Sequence, residues 1–70
     1  MDEEITSKQK DFMTDLIGRC NKFGLDNLGT KISQALNRPL TKSDGTLIIS
    51  FSLLKLEERK ANKQAEQLLQ

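Results

Sequence analysis

The first third of the chain carries apolar residues at helical spacing. Thr6 and Gln9 form the T-x-x-Q pattern of a capping box, in which both side chains satisfy free backbone N–H groups at a helix start. Gly24 supplies a left-handed stop, and Leu25 can fold back in a Schellman-type ending. The pattern predicts a first helix that starts at Ser7, with an apolar stripe made of Phe12, Met13, Leu16, Ile17, Cys20 and Phe23.

A second, shorter helix is predicted after this stop. Asp26 or Asn27 is placed to cap it. It ends before Pro39, because proline lacks a backbone donor and moves the preceding Arg38 out of the helical region. Residues 38–42 are then a connector. The apolar positions of this helix again have helical spacing, and they are Leu28, Ile32, Ala35 and Leu36.

The run from Gly45 to Ser52 suits a strand as well as a helix, because β-branched residues and partial alternation occur together. A strand would have no comparable partner segment elsewhere in the chain, and Ser43 or Asp44 is placed to cap a helix. We therefore expect a third helix from Asp44 to Gln70, of about 25 residues and about 37 Å.

These elements predict an all-α fold, a three-helix small domain with a long C-terminal helix. We expect a flexible acidic tail at residues 1–4, a three-helix core at 5–58 and a C-terminal helix extension at 59–70. The first two helices should pack against the first half of the third through Phe12, Leu16, Ile17, Phe23, Ile32, Leu36, Ile48, Phe51 and Leu54.

Composition argues against a catalytic or metal-binding site. With one cysteine and no histidine, no metal or cofactor is expected, and Cys20 on an apolar face indicates a core thiol more than a reactive one. Asp11 and Asp15 share a helix face but have no base or nucleophile beside them. The longest apolar run, 47–49, is far short of a membrane span, so we expect a cytoplasmic protein. Because the sequence has no catalytic signature, we expect a protein that is not an enzyme and has no small-molecule substrate.

Nucleic-acid binding would need clustered cations, because the net charge is only +1. Acidic residues are interspersed among the basic ones, so a solvated surface is the alternative interpretation. No aromatic residue lies outside the predicted core to stack on a base. The candidates are Lys8, Lys10, Arg19, Lys22, Lys31, Arg38 and Lys42.

The end of the third helix carries a line of small and apolar residues. No other segment of the chain remains to cover them. Leu54, Ala61 and Leu68 are spaced by seven, and small alanines permit close approach of a partner helix. Fraying of the last turns is the alternative. A protein interface is therefore predicted at Ala61, Ala65, Leu68 and Leu69.

The order of these features resembles a small helical module. It comprises Ile5-Thr6-Ser7-Lys8-Gln9, an apolar stripe ending in Phe23-Gly24-Leu25, a short helix, the connector Arg38-Pro39-Leu40-Thr41-Lys42-Ser43 and a closing helix. Such modules occur at the ends of phage and plasmid single-strand annealing and replication proteins, and the likeness spans residues 5 to 57. The resemblance implies a protein from a mobile genetic element. Such a protein would work beside nucleic acid or a nucleic-acid enzyme and would have no catalytic activity of its own.

The leading functional prediction is a small phage- or plasmid-type accessory protein that binds a protein partner of replication, recombination or defence machinery. One alternative is a direct DNA- or RNA-binding module that uses the cations of the first helix and the connector. Another is an oligomerisation module built on the third helix.

Overall fold

A computed structural model describes residues 3–70, which form three α-helices: α1 (Ser7–Lys22), α2 (Asp26–Leu36) and α3 (Lys42–Leu68). The predicted all-α fold with a long C-terminal helix is confirmed, since α3 has 27 residues against 16 and 11 for the others. The ambiguous run at 45–52 is helical throughout.

Both ends of α1 are as the sequence predicts. The Gln9 backbone N–H donates to Thr6 Oγ1 at 3.1 Å, and the Thr6 N–H donates to Gln9 Oε1 at 3.0 Å. At the other end, Gly24 has a φ of 78°, a conformation that glycine adopts without steric cost. The Leu25 N–H then donates to the Cys20 carbonyl at 2.7 Å, which is the long bond of a Schellman motif.

The predicted caps of α2 and α3 were wrong. Thr41, not Ser43 or Asp44, is the N-cap of α3: its Oγ1 accepts from the Asp44 N–H at 3.1 Å, and its own N–H donates to Asp44 Oδ2 at 3.0 Å. Asp44 thus serves as the second member of another capping box, and the helix starts at Lys42. In α2 the N-cap is Leu25, without a side-chain cap bond among the described residues.

Helix α1 lies between the other two and packs against both. Its start meets the start of α3, where Gln9 Nε2 donates to the Lys42 carbonyl at 3.0 Å. Its end meets residue 59, where Arg59 Nε donates to the Phe23 carbonyl at 3.0 Å. The two helices therefore run in the same direction. Helices α2 and α3 touch at few points, which leaves a groove between them.

The buried core is Ile5, Met13, Leu16, Cys20, Ile32, Ala35 and Leu56. Of the predicted core, Leu16 and Ile32 are buried, whereas Ile17, Phe23, Leu36 and Ile48 are half-buried against it. Phe12, Phe51 and Leu54 were wrongly placed in the core, because they are 39%, 52% and 58% exposed. For Phe51 and Leu54 the reason is that α3 turns Gly45, Ser52 and Leu56 inward, and the small Gly45 and Ser52 allow close helix packing. Phe12 directly precedes the buried Met13, so it points about 100° away from it around α1.

The start of the chain is paired with the connector. The Lys42 N–H donates to the Glu3 carbonyl at 2.8 Å, and the Ile5 N–H donates to the Leu40 carbonyl at 3.0 Å. The predicted flexible acidic tail at 1–4 lies partly outside the described residues at Met1 and Asp2. Its other half takes part in the fold, because Glu3 and Glu4 lie against residues 41 and 42.

Candidate protein-binding surface

An exposed line of mostly apolar residues runs along α3, and we call it the α3 seam. Leu47, Phe51 and Leu54 are 69%, 52% and 58% exposed. The alternation of four- and three-residue steps is the spacing of the contact positions in a coiled coil. The complete seam is Leu47, Phe51, Leu54, Glu58, Ala61, Ala65 and Leu68, all of them exposed.

The seam lies on the opposite side of α3 from α1. At 3.6 residues per turn, the seam positions fall within a sector of about 100°. The inward positions Gly45, Ser52 and Leu56 point about 150–170° away from the middle of that sector. Helix α3 therefore presents one contact face to its own domain and a second contact face to solvent.

Beside the seam lies the groove between α2 and α3, which holds a hollow of about 300 Å³. Its apolar walls are Leu28, Ile32 and Ala35 from α2 with Leu47, Ile48 and Phe51 from α3. The groove and the seam share Leu47 and Phe51, so they form one continuous surface. Lys31 and Arg38 stand along the α2 edge of this surface, and Lys55 joins Lys31 in the neighbouring hollow beside Phe51.

The one charged position of the seam is partly neutralised within the chain. Lys55 Nζ lies 3.6 Å from Glu58 Oε2 and 5.5 Å from the centre of the Phe51 ring. An exposed pair of this kind contributes little to folding. It does reduce the cost of placing Glu58 against another helix, because the carboxylate keeps a counter-charge.

The predicted interface residues Ala61, Ala65, Leu68 and Leu69 are all exposed, with the last two at 85% and 87%. Leu69 lies beside Leu68 at the end of the line. The sequence pattern placed Leu54 both in this line and in the predicted core, whereas Phe51 was assigned to the core alone and Leu47 was not singled out. The unbroken spacing from 47 to 68 was the available signal.

The seven predicted nucleic-acid contacts are exposed but lie in different places. Lys8 and Arg19 share one flank of α1, whereas Lys10 lies roughly opposite, about 160–180° away around the helix. Arg19 pairs with Asp15 at 3.0 Å, and Lys42 pairs with Glu3 at 2.6 Å. The structure places Lys31 and Arg38 together at the edge of the groove, and Lys22 at the end of α1.

Another group of cations meets the end of α1. Lys60 and Lys63 lie 5.4 and 6.0 Å from the centre of the Phe23 ring, and Arg59 binds the Phe23 carbonyl. These cations lie against an aromatic face and the negative end of α1.

Other kinds of site find little support in the described chain. Across residues 3–70, no group of three or more acidic or thiol side chains could hold a metal ion. In the same range, no helix has the length and apolar content needed to cross a membrane. Cys20 is a free, fully buried thiol, and burial raises its pKa, as expected of a core residue.

Comparison of the chain with protein-family models, curated proteins and solved structures finds no match.

Proposed function

We propose that this protein is a non-enzymatic protein-binding module that binds an α-helix along the α3 seam. The observation that carries the proposal is the exposed line at coiled-coil spacing along the outer face of α3. Single exposed apolar residues are ordinary on a protein surface, whereas a contiguous line marks an interaction surface. The open groove beside it supports the same function, because apolar side chains of a bound helix can enter it.

The class of partner comes from the sequence resemblance. We propose an accessory protein of phage or plasmid type that acts in the cytoplasm on replication, recombination or defence machinery. Two features support a role in binding without catalysis. Cys20 is held protonated in the core, and the polar groups of the groove edge are cations that can orient a partner without reacting with it.

The test compares two substitutions that add the same charge to the same helix. Leu54→Lys changes the seam, whereas Gln67→Lys changes an exposed position about 140° away around α3. Each variant is first shown to fold by circular dichroism, with a free energy of unfolding within about 0.5 kcal/mol of the wild type. Each is then immobilised and used to capture proteins from a host extract.

The expected result is that wild type and Gln67→Lys retain the same helical partner and that Leu54→Lys loses it. A second copy of the chain counts as a partner in this test. If Leu54→Lys captures the same proteins in the same amounts, the seam is not the binding surface and the proposal fails.

Direct nucleic-acid binding is the second candidate function. The observation in its favour is the group Arg59, Lys60 and Lys63 close to the end of α1, where Lys22 also lies. Cations that neutralise phosphates give an affinity that falls steeply with salt. Binding of this kind should weaken in Lys22→Ala and Lys63→Ala, whereas Leu54→Lys, on the other side of α3, should leave it intact.

A further inference from the structure

We infer that the helix covering the α3 seam is α3 of a second copy, bound in the antiparallel direction. This inference rests on the proposed function, since it names the partner of the same surface. The two halves of the seam differ in size: Leu47, Phe51 and Leu54 are large, whereas the second half has the small Ala61 and Ala65 before its last residue, Leu68. An antiparallel pair places the large half of each copy over the small half of the other.

A parallel pair is disfavoured by charge. It would place Glu58 of one copy directly opposite Glu58 of the other in the middle of the contact, with two like charges removed from water. It would also oppose alanine to alanine and phenylalanine to phenylalanine. The antiparallel pair instead places each Glu58 opposite a small alanine, and its pairing with Lys55 of the same copy is kept.

In one antiparallel register, every seam position except Leu47 faces a seam position of the second copy. Phe51 faces Leu68 of the second copy, Leu54 faces its Ala65, and Glu58 faces its Ala61, each pair occurring twice. On the flank beside the groove, Ile48 faces Leu69 of the second copy. Leu68 and Leu69, the two most exposed of the large apolar residues, thereby gain apolar partners.

A shift by one heptad gives the next register, which the charges disfavour. It would bring Lys55 opposite Lys55 of the second copy on one flank and Glu57 opposite Glu57 on the other flank. In the register above, Lys55 faces Asn62 of the second copy and Glu57 faces its Gln64, so like charges do not meet. Charged flank positions commonly select the register of helix pairs in this way.

The groove edge supplies charge complementarity. The chosen register places Glu66 of the second copy at the level of residue 53, on the flank that faces the groove. Lys31 and Lys55 line the hollow at this level, beside Phe51. The partner's carboxylate therefore lies next to two cations, one from α2 and one from α3, which favours the encounter of the two copies.

The first test is the mass of the protein in solution. Sedimentation equilibrium from micromolar to millimolar concentration should show a monomer of 7.9 kDa passing to twice that mass. Ala65→Glu should keep the monomer mass over the whole range, because it puts a carboxylate into the contact. Gln67→Glu, two residues away on the opposite side of the same turn, is the matched control and should dimerise like the wild type.

The second test is disulfide cross-linking of single-cysteine additions, and native Cys20 can stay because it is buried. A chain with Glu57→Cys is mixed with a chain of different mass carrying Gln64→Cys. The proposed register brings these two positions together, so the mixed dimer should predominate. Predominant self-linking of Glu57→Cys would instead show the shifted register and overturn the arrangement.

The failure of this inference is distinguishable from failure of the proposed function. A wild-type protein that stays monomeric at millimolar concentration overturns the second copy as the partner. If such a monomer still captures another helical protein, and Leu54→Lys abolishes the capture, the seam keeps its binding role with a different occupant.

Discussion

Arg59 Nε lies 3.0 Å from the Phe23 carbonyl oxygen, so a side chain of α3 caps the end of α1 across 36 residues of sequence. The last carbonyls of a helix lack intrahelical partners and carry partial negative charge. A guanidinium there satisfies one carbonyl and complements the helix dipole. Lys60 and Lys63 extend this contact over the Phe23 ring, although all residues of α3 beyond Arg59 are exposed.

Removal of this bond should destabilise the fold modestly. We expect Arg59→Ala to lower the free energy of unfolding by about 1 kcal/mol, because the bond is exposed to water although the donor is charged. Urea denaturation measures the change. Arg38→Ala is the control, since the exposed Arg38 side chain makes neither a hydrogen bond nor an ion pair within the described residues, and its backbone bond to the Ala35 carbonyl is kept. Equal losses in the two variants would contradict the capping role.

The sequence predicted the elements whose signals are local. Thr6 and Gln9 mark the start of α1, Gly24 marks its end, and Pro39 separates α2 from α3. Each of these acts through its own backbone neighbours, so tertiary structure is not needed to interpret it. The missed cap at Thr41 has the same local character. Its partner Asp44 was taken for the cap itself, although T-x-x-D is also a capping-box pattern.

The sequence could not decide which face of α3 is buried. Apolar residues occupy both faces, and the larger side chains of Phe51 and Leu54 favoured the wrong one. Burial is decided by fit against α1, where Gly45 and Ser52 permit a close approach that a phenylalanine would prevent. Phe51 and Leu54 were therefore assigned to the core. The sequence pattern still predicted the exposed line from Leu54 onward, and the interface residues themselves only from Ala61.

Ser52 is fully buried, and its hydroxyl lacks a hydrogen-bond partner among residues 3–70. A buried polar group without a partner costs about 1–3 kcal/mol. We expect Ser52→Ala to raise the free energy of unfolding by about 1 kcal/mol, since alanine removes the hydroxyl and keeps the close packing. Ser50→Ala, on the exposed side of α3, gains only the intrinsic helix preference of alanine.

Denaturant titrations measure the change in the free energy of unfolding for each variant. The difference between the two changes gives the cost of burying the Ser52 hydroxyl. An equal gain in both would mean that the Ser52 hydroxyl has no net cost. A loss in Ser52→Ala would mean that the hydroxyl is satisfied in solution.

Two helical glycines should respond in opposite directions to the same substitution. A Cβ at Gly18 meets no atom within 4 Å in the described chain, whereas a Cβ at Gly45 would lie 2.9 Å from Gln9 Nε2 and 3.0 Å from Ile5 Cδ1. Gln9 cannot move freely, because its side chain closes the α1 capping box and binds the Lys42 carbonyl.

We therefore expect Gly18→Ala to stabilise the fold by up to about 1 kcal/mol, the intrinsic advantage of alanine in a helix. Gly45→Ala should destabilise it by about 1 kcal/mol or more, because the strain exceeds that advantage. Thermal unfolding of both variants checks the sign of each change in stability. A gain at Gly45 would show that the contact between α1 and α3 is looser than the structure gives.

Cys20 should make the stability of the fold depend on pH in the alkaline range. Burial raises the pKa of its thiol above the ordinary value, so the unfolded chain loses this proton at lower pH than the folded chain does. Below the unfolded thiol's pKa both states are protonated, and the contribution to stability is fully present. As pH rises above about 9, the unfolded state alone is stabilised by ionisation, and the free energy of unfolding falls.

Denaturant titrations of wild type and Cys20→Ala from pH 7 to pH 10 measure this fall, and the variant corrects for the titration of lysines. The slope with pH should be steeper for the wild type. In parallel, a thiol reagent should modify the folded protein far more slowly than the denatured one, because the thiolate forms only after opening of the core. Equal pH slopes together with fast labelling of the folded chain would place Cys20 outside the core.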